Sequence, residues 1–506
     1  MITEVKSFAF KGIDVTDVNI QIHIQNGIPN FSIVGLADKA IAESKERINS
    51  ALFNLGLGLP IKKIVVNLSP ANISKEGSLY DLPIILGILE NMEVIPPASL
   101  KQYFALGEIS LGGKITEVSG VLPAAMHANQ KDMGIICPKD NGSEAVWSGN
   151  PLILSTNHVA NLISHFKGEQ KITYPMSTAI NATSTQIDMH DVIGQDTAKR
   201  AMEVSAAGRH NLLMIGPPGS GKSMLAERIT TILPNLSKEE ILETSMVNSV
   251  AGNLKKGALS DIAPFRSPHH SCSNAAMIGG GNRRQISPGE ISLSHNGVLF
   301  LDELPEFQRN VIESLRQPLE TKQINISRSN LYVSYPANFL LLAAMNPCKC
   351  GHISNKEKLC SKAPKCSIDY INRISGPIYD RFDIYVEVPE IKPSLIYKYK
   401  NVPRETSADI KMRILKAREI QSERFHNKTF RTNAEMPTKL IDKFVTMTKS
   451  AAQIFDKIVE KLNVSMRSYH KIQKISRTIA DLDNSEKINE EHLLEAANYR
   501  DSFVVN

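Results

Sequence analysis

The chain has 506 residues, of which 42% are hydrophobic and 22% charged. Its length predicts about three domains, and its composition excludes the disordered and fibrous classes. The apolar runs are far shorter than the ~20 residues of a membrane span. The first residues also lack a basic start followed by an apolar core. We therefore expect a cytoplasmic protein without a membrane partner.

The net charge of +6 is concentrated in residues 396–506, which contain 21 Lys+Arg against 15 Asp+Glu. A basic end of this kind suits a polyanionic partner. A solvated helical surface would have the same composition, so charge alone leaves both interpretations open.

Residues 1–167 are predicted to form one α/β domain, because alternating and helical hydrophobic patterns follow each other along it. The predicted elements are the strands Val15–Ile24, Lys63–Leu68 and Ile135–Cys137, and the helices Asp38–Leu55 and Leu82–Leu89. Residues 168–187 lose the pattern and are rich in Ser, Thr, Ala and Asn, which is typical of a linker.

Residues 188–395 alternate strand and helix patterns again, which favours a mainly parallel sheet with helices on both faces. The predicted elements are the strands Asn211–Ile215, Gly297–Leu301 and Phe339–Met345 and the helix Ser223–Leu233. Residues 396–506 have only helical periodicity and are predicted to be an all-α domain. Its predicted helices are Ala408–Phe425, Thr438–Leu462, Ser468–Ala480 and Glu490–Ala497.

A nucleotide-binding loop follows the first strand of the second domain. The segment Gly216-Pro217-Pro218-Gly219-Ser220-Gly221-Lys222-Ser223 matches the pattern G-x-x-x-x-G-K-[ST] between a strand and a helix. Glycines let backbone N–H groups approach phosphate closely, and the helix directs its positive end toward the same charge. We expect Lys222 to reach the β and γ phosphates of ATP and Ser223 to bind Mg²⁺.

Hydrolysis needs an acidic element, which Asp302 and Glu303 supply at the end of the strand Val298–Leu301. Ligands bind at the carboxyl ends of strands in α/β sheets, so Asp302 is expected to hold Mg²⁺ and Glu303 to activate the attacking water. Asn346 ends the next strand and is a candidate to hold that water, although Asn before Pro is also common in turns.

The chain resembles AAA+ ATPases of the magnesium-chelatase type in the order of these motifs: the phosphate loop, Val-Leu-Phe-Leu-Asp-Glu-Leu, Ala-Ala-Met-Asn-Pro and Asp-Arg-Phe-Asp. The segments Phe265–His270 and Gly279–Gly281 narrow the resemblance to the ComM/YifB family, which is similar essentially end to end. That family implies a homohexameric ring acting as an ATP-driven DNA branch-migration helicase in natural transformation. Single-stranded and branched DNA, and recombination proteins, are its implied partners.

The resemblance also implies roles for arginines that composition alone would place on the surface. Arg381 matches the arginine finger that reaches the γ-phosphate of a neighbouring subunit, with Arg373 as the competing candidate. Arg467 matches the second sensor, expected to reach the γ-phosphate of its own subunit. Two inserts, Phe265–Ile291 and the hairpin Gln323–Ala337, would face the ring's pore.

Four basic residues in or beside these inserts are candidate contacts to DNA phosphates, although simple solvent exposure would also explain them. They are Arg283, Arg284, Lys322 and Arg328.

A cysteine-rich segment predicts a structural zinc site in the loop 346–368. The candidate ligands are Cys348, Cys350, Cys360 and Cys366, and His352 is an alternative to one of them. Four thiolates suit tetrahedral Zn²⁺ without an open position. The Cys-x-Cys spacing is tighter than usual, and four reduced loop cysteines are the simpler alternative.

The segment Leu106–Ile115, followed by Val118–Leu122, resembles the Lon protease domain. The catalytic Ser of that fold aligns near Leu79 and its Lys near Pro123. Because neither side chain can perform the chemistry, the domain is predicted to have the Lon-protease-like fold without proteolytic activity. Ser78 is one residue from the expected position, so a register error stays open, but no lysine replaces Pro123.

Three other functions are alternatives to a DNA motor. A magnesium-chelatase motor is disfavoured by the Lon-like domain and by the lack of an integrin-like domain within the chain. An ATP-dependent protease is disfavoured by Leu79 and Pro123, and a scaffold without turnover by the intact Glu303.

Overall fold

The computed structural model describes residues 2–35, 39–73, 75, 77–177, 187–254, 257–281, 286–328, 331–351, 364–391, 403–462 and 465–501. None of the helices within these ranges is long and apolar enough to cross a membrane.

The N-terminal part is built on a seven-stranded mixed sheet. In spatial order its strands are Asn30–Val34, Lys63–Ser69, Asp14–Gln25, Ile2–Lys11, Tyr103–Ala105, Gly134–Pro138 and Ile153–Thr156. A small second sheet pairs Glu108–Ile109 with Ile115–Thr116. The α-helices of the N-terminal part are Lys39–Asn54, Asp81–Asn91, Val121–Gln130, Gly142–Val146 and Val159–Phe166.

The strand Ile2–Lys11 forms an antiparallel hairpin with Asp14–Gln25 and was not among the predicted elements. The helix Asp81–Asn91 is buried over its first ten residues, which explains why its sequence is apolar on all sides.

The second part has a five-stranded sheet in which every pair is parallel, as the sequence predicted. Its order is Phe265–Arg266, Val298–Leu301, Leu340–Met345, Leu212–Ile215 and Ile384–Glu387. We call Leu212–Ile215 the phosphate-loop strand, Val298–Leu301 the acidic strand and Leu340–Met345 the sensor strand. Since all run the same way, the residues that follow these three strands meet at one edge of the sheet.

Nine helices of this part lie in the described ranges, together with two antiparallel ribbons. The helices are Asp196–Gly208, Lys222–Ile232, Lys238–Val250, Asn274–Ile278, Glu290–Leu293, Arg309–Ser314, Arg316–Thr321, Lys365–Ile371 and Gly376–Tyr379. The ribbons pair Gly279–Gly280 with Ser287–Pro288, and Gln323–Arg328 with Leu331–Pro336.

The C-terminal part is helical, as predicted. Its α-helices are Ser407–Arg424, Ile441–Phe444, Lys449–Leu462, Met466–Leu482 and Glu490–Asp501. The single helix predicted over Thr438–Leu462 is wrong.

The chain leaves the helical path after Phe444 because Met447 forms a β-bridge with Ile488. The hydroxyl of Thr448 then accepts a hydrogen bond from Ala451 N at 3.2 Å and caps the next helix.

The C-terminal helices dock at the amino end of the phosphate-loop strand. Asp383 N donates to the oxygen of Asn211, the residue before that strand, at 2.8 Å. Lys471 from the helix Met466–Leu482 forms a 3.0 Å ion pair with Asp383. Burial would raise the pKa of Asp383, but Lys471 and His210 hold it well below its usual range. This contact places the first turns of the helix Met466–Leu482 at the end of the strand opposite to the phosphate loop.

The N-terminal part packs against the helix Lys238–Val250 of the second part. Gly120 N donates to Ser249 O at 3.0 Å, and Ser249 Oγ donates to the buried carboxylate of Glu144. Burial raises the pKa of that carboxylate. Trp147 Nε1 donates to Gly257 O at 3.3 Å. The two parts therefore share a polar, partly buried contact.

Candidate nucleotide site

The phosphate loop joins the phosphate-loop strand to the helix Lys222–Ile232. An added Cβ at Gly216 would clash with the carbonyl oxygen of Val388. Gly219 and Gly221 have φ values of 76° and 92°, a conformation that favours glycine. The pattern of three glycines is therefore explained by backbone geometry as well as by phosphate binding.

Lys222 is a buried cation held by neutral groups. Its ammonium donates to the oxygens of Gly216 at 2.8 Å and Pro217 at 2.9 Å, and to Asn346 Oδ1 at 3.2 Å. Within the part of the chain that the structure describes, it has no ion-pair partner. Burial lowers its pKa, while the more distant Asp302 and Glu303 oppose that shift. A buried ammonium without a contacting carboxylate is well suited to an anionic ligand.

The hydroxyl of Ser223 donates to Asp302 Oδ2 at 2.6 Å. Hydroxyl and carboxylate oxygens are the ligands that Mg²⁺ prefers, so this pair fits such an ion. Glu303 follows with φ of 52°, and its N–H donates to Asp302 Oδ1 at 2.9 Å.

These groups line one cavity of about 350 Å³ at the carboxyl edge of the sheet. The sensor strand lies between the other two strands, so Asn346 is placed beside Lys222. The lining residues are Pro218, Gly219, Gly221, Lys222, Ser223, Met224, Asp302, Glu303, Met345 and Asn346.

His270 contacts the acidic pair and was not assigned a role from the sequence. Its Nδ1 lies 3.4 Å from Glu303 Oε2. The ring lies tilted by 34° against that of His269, with centroids 4.1 Å apart, and is edge-on to Phe307, with centroids 6.5 Å apart. The motif Pro268-His269-His270 was visible in the sequence, but only the fold brings it to Glu303.

Gln195 was also missed. It has a left-handed backbone, with φ of 61°, and its Nε2 donates to Ser220 O at 3.1 Å and Pro389 O at 2.7 Å. It lines a second cavity of about 540 Å³, together with Tyr385 and Tyr499. The Gly194-Gln195 turn before the helix Asp196–Gly208 was the available signal.

Arg381 lies at the amino end of the phosphate-loop strand, away from this cavity. Its backbone oxygen accepts from Asn211 Nδ2 at 3.0 Å, and its guanidinium pairs with Glu320. The intervening strand of four residues is about 13 Å long. The competing candidate, Arg373, pairs with Glu306 at 3.0 Å, just beyond the acidic strand.

Arg467 lies near Arg381 and not near its own phosphate loop. Its side chain is 62% exposed and stands 3.5 Å from Asp380. In this arrangement Arg467 therefore does not lie beside its own phosphate loop, where the resemblance places it. The cause is the docking of the helical domain through Lys471 at the opposite end of the strand.

Lys322, one of the candidate contacts to DNA phosphate, has its charge paired within the chain. It forms an ion pair with Glu435 of the helical domain. Burial would raise the pKa of Glu435, but Arg209 and Lys322 lower it to about 2. Arg283 and Arg284 lie outside the described residues, as does the side chain of Arg328.

The sulfur atoms of Cys348, Cys350 and Cys366 all lie within 4.8 Å of one another, and the first two are 3.2 Å apart. Thiolates around Zn²⁺ at a bond length of about 2.3 Å stand about 3.8 Å apart, so the cluster is of the right size for this ion. Cys360 and His352 lie outside the described residues.

The fold and the cavity define a P-loop nucleotide-binding protein of the AAA+ class with a magnesium-chelatase-type ATPase domain. Three family profiles match in succession. They are "Subunit ChlI of Mg-chelatase" over residues 20–141, "Magnesium chelatase, subunit ChlI" over 188–396, and "Magnesium chelatase, subunit ChlI C-terminal" over 404–500. A family of this class uses ATP and Mg²⁺.

Whole-chain relatives narrow the class to a family. The chain is 41% identical to Competence protein ComM of Haemophilus influenzae, over 98% of this chain and 97% of that protein. It is 40% identical to YifB of Escherichia coli K12, over 97% and 95%. It is 34% identical to Rv2897c of Mycobacterium tuberculosis, over 94% of each. The chain belongs to the ComM/YifB family of magnesium-chelatase-like AAA+ proteins.

Proposed function

We propose that the protein is an ATP-driven motor that moves along DNA and promotes branch migration during recombination of incoming DNA. It would act in the cytoplasm as a homohexameric ring. The observation that carries the proposal is the cavity in which Lys222, the Ser223–Asp302 pair and Glu303 converge. Identity to a competence protein over nearly the whole chain supports DNA as the polymer.

In this proposal each residue around the cavity has one role. Lys222 holds the β and γ phosphates of ATP, and Ser223 and Asp302 hold Mg²⁺, which screens phosphate charge. Glu303 accepts the proton of the attacking water. Asn346 binds Lys222 at 3.2 Å and presents an amide to the same space, where it would orient that water.

The active site would be shared between two subunits. Arg381 is too far from its own cavity to contact phosphate there, and Arg467 lies on the same side as Arg381. A cation supplied by a neighbouring subunit stabilises charge in the transition state of phosphoryl transfer. Both arginines therefore suit a ring in which each faces the next subunit's ATP.

DNA contacts are proposed at Arg283, Arg284 and Arg328 in the two inserts. Lys322 is a weaker candidate, because its charge is paired with Glu435. Contacts to phosphate weaken as salt rises. Replacing Arg283 and Arg284 with alanine should reduce the dependence of DNA affinity on salt concentration while leaving nucleotide affinity unchanged.

The test of the main proposal is the ATPase rate with and without single-stranded, duplex and branched DNA. The wild-type rate should rise with branched DNA, and Glu303→Gln should lose activity about 10²- to 10⁴-fold while still binding ATP. Glu227→Gln is the matched control, because Glu227 is an exposed acid on the phosphate-loop helix. An ATPase rate that no DNA changes would contradict the proposal.

A chelatase-type motor is the second candidate, since three chelatase profiles match the chain. The same assay includes a porphyrin and Mg²⁺ as an arm without DNA. Stimulation by the porphyrin alone would favour the chelatase motor. An ATP-dependent protease is a weaker alternative.

For the N-terminal domain we propose a Lon-protease-like fold without proteolysis. Leu79 packs among hydrophobic residues, and Pro123 is buried within the helix Val121–Gln130. Ser78 contacts Glu108 through its hydroxyl. An absence of peptide hydrolysis by the wild type in the presence of ATP is the expected result.

We also propose structural Zn²⁺ at Cys348, Cys350 and Cys366, with Cys360 as the fourth ligand. The spacing of the three described sulfur atoms supports it. Elemental analysis of the purified chain should give about one zinc per chain, and a metal-free protein would remove this part of the proposal.

A further inference from the structure

The thiol cluster lies directly against the phosphate loop. Gly351 follows Cys350 and has φ of 79°; its N–H donates to Cys348 O at 2.9 Å and closes a tight turn. An added Cβ at Gly351 would stand 2.7 Å from Pro218 Cγ and closer still to Cδ. The backbone carrying two of the three thiols therefore touches Pro218 with no space for a side chain.

The segment around Cys366 is also connected to the phosphate loop by hydrogen bonds. Ser367, next to Cys366, donates from its hydroxyl to Pro347 O at 2.6 Å. Pro347 follows Asn346, which accepts the hydrogen bond from Lys222 at 3.2 Å. The segment around the cluster thus contacts the phosphate loop twice, at Pro218 and at Lys222.

We infer that a Zn²⁺ ion on Cys348, Cys350 and Cys366 holds the phosphate loop in its nucleotide-binding conformation, so that loss of the metal weakens nucleotide binding. The inference rests on the proposed zinc and nucleotide sites. Metal bonds join two chain segments that are 16 or more residues apart in sequence and that both brace the loop. Without the ion, these two segments would become ordered only when nucleotide binds. The entropy lost in that ordering lowers the affinity for nucleotide.

Coupling of this kind is reciprocal: if zinc tightens nucleotide binding, then nucleotide tightens zinc binding by the same factor. ADP with Mg²⁺ should therefore protect the metal from a chelator. This second readout does not depend on catalysis.

The experiment uses the full chain, with zinc measured by elemental analysis and ADP affinity by isothermal titration calorimetry. Removing zinc with a chelator, or by Cys366→Ser, should raise the Kd for ADP about tenfold, and added Zn²⁺ should restore the chelated wild type. Gly351→Ala should keep its zinc and still raise the Kd about tenfold, because it displaces Pro218. Cys272→Ser, which lies outside the cluster, is the matched control and should change neither quantity.

The outcomes separate the inference from its premises. If the wild type binds zinc and ADP, but its Kd for ADP changes less than twofold when zinc is removed, the coupling is refuted. The proposed zinc site and the proposed nucleotide site would both still stand. A metal-free wild type refutes the zinc site and the coupling together. A zinc-bound wild type that does not bind ADP refutes the proposed nucleotide site itself.

Discussion

Two inactive variants of this chain should restore ATP hydrolysis to each other when they are mixed. Lys222→Ala removes the phosphate-binding cation from the cavity, and Arg381→Ala removes a guanidinium at the other end of a strand about 13 Å long. Loss of an arginine finger reduces turnover by about 10³- to 10⁵-fold, so each variant alone should be nearly inactive. In the proposed ring, however, a complete site would need Lys222 from one subunit and Arg381 from its neighbour.

The size of the recovery follows from this geometry. When equal amounts of the two variants mix at random, an interface is complete with a probability of one half times one half. The ATPase rate should then be about a quarter of the wild-type rate. The matched control mixes Lys222→Ala with Glu303→Gln, whose missing groups line the same cavity, and should show no recovery.

The assay is phosphate release after the variants are unfolded, mixed and refolded, with two different affinity tags to prove that the rings are mixed. Mixed rings without any recovery in the Lys222→Ala and Arg381→Ala pair would refute a shared site. Equal recovery in the control pair would also contradict the prediction. It would mean that Lys222 and Glu303 of the same subunit do not act together in one site.

Three further outcomes are expected. His270→Ala should lower kcat about tenfold without changing ATP affinity, because the imidazole 3.4 Å from Glu303 orients that carboxylate; an unchanged kcat in a stopped-flow assay would exclude this role. The pKa of Glu435 is lowered to about 2 in the folded chain, so its contribution to stability is present above its unfolded pKa and is lost as the pH falls toward 2. That contribution is roughly 3 kcal/mol, and Glu435→Gln should therefore show a smaller drop in urea midpoint between pH 6 and pH 3.5 than the wild type. Identical drops would contradict the lowered pKa that Arg209 and Lys322 cause. An added Cβ at Gly257 would stand 2.5 Å from a backbone nitrogen of the N-terminal domain, so Gly257→Ala should loosen the two parts and speed limited proteolysis of the linker, whereas unchanged cleavage would argue against that interface.

Local chemistry in the sequence was enough to predict the phosphate loop and the acidic pair. The glycines at Gly216, Gly219 and Gly221 are demanded by backbone geometry within a few residues. Asp302 and Glu303 directly follow an apolar strand. Such features depend on neighbours in the chain, so a pattern of residue types is sufficient to find them.

Contacts between distant segments were not predictable in the same way. His270 precedes Glu303 by 33 residues, and no periodicity links an imidazole in an insert to a carboxylate after a strand. The break in the predicted helix over Thr438–Leu462 depends on a bridge to Ile488. Both features depend on a contact between segments distant in sequence, which the local residue pattern does not reveal.

The sequence by itself therefore determined the class of the protein: a P-loop ATPase domain of the magnesium-chelatase type between an α/β domain and a helical domain. Only the tertiary structure decided how the charges around that domain are distributed. The ion pair of Lys471 with Asp383 docks the helical domain at the amino end of the phosphate-loop strand. Arg467 is thereby kept from its own cavity, and the ion pair with Glu435 occupies Lys322. The physical reason is that an ionised side chain is directed by the partner the fold brings within a few ångströms. In these three ion pairs the partner is 87, 88 or 113 residues away in sequence.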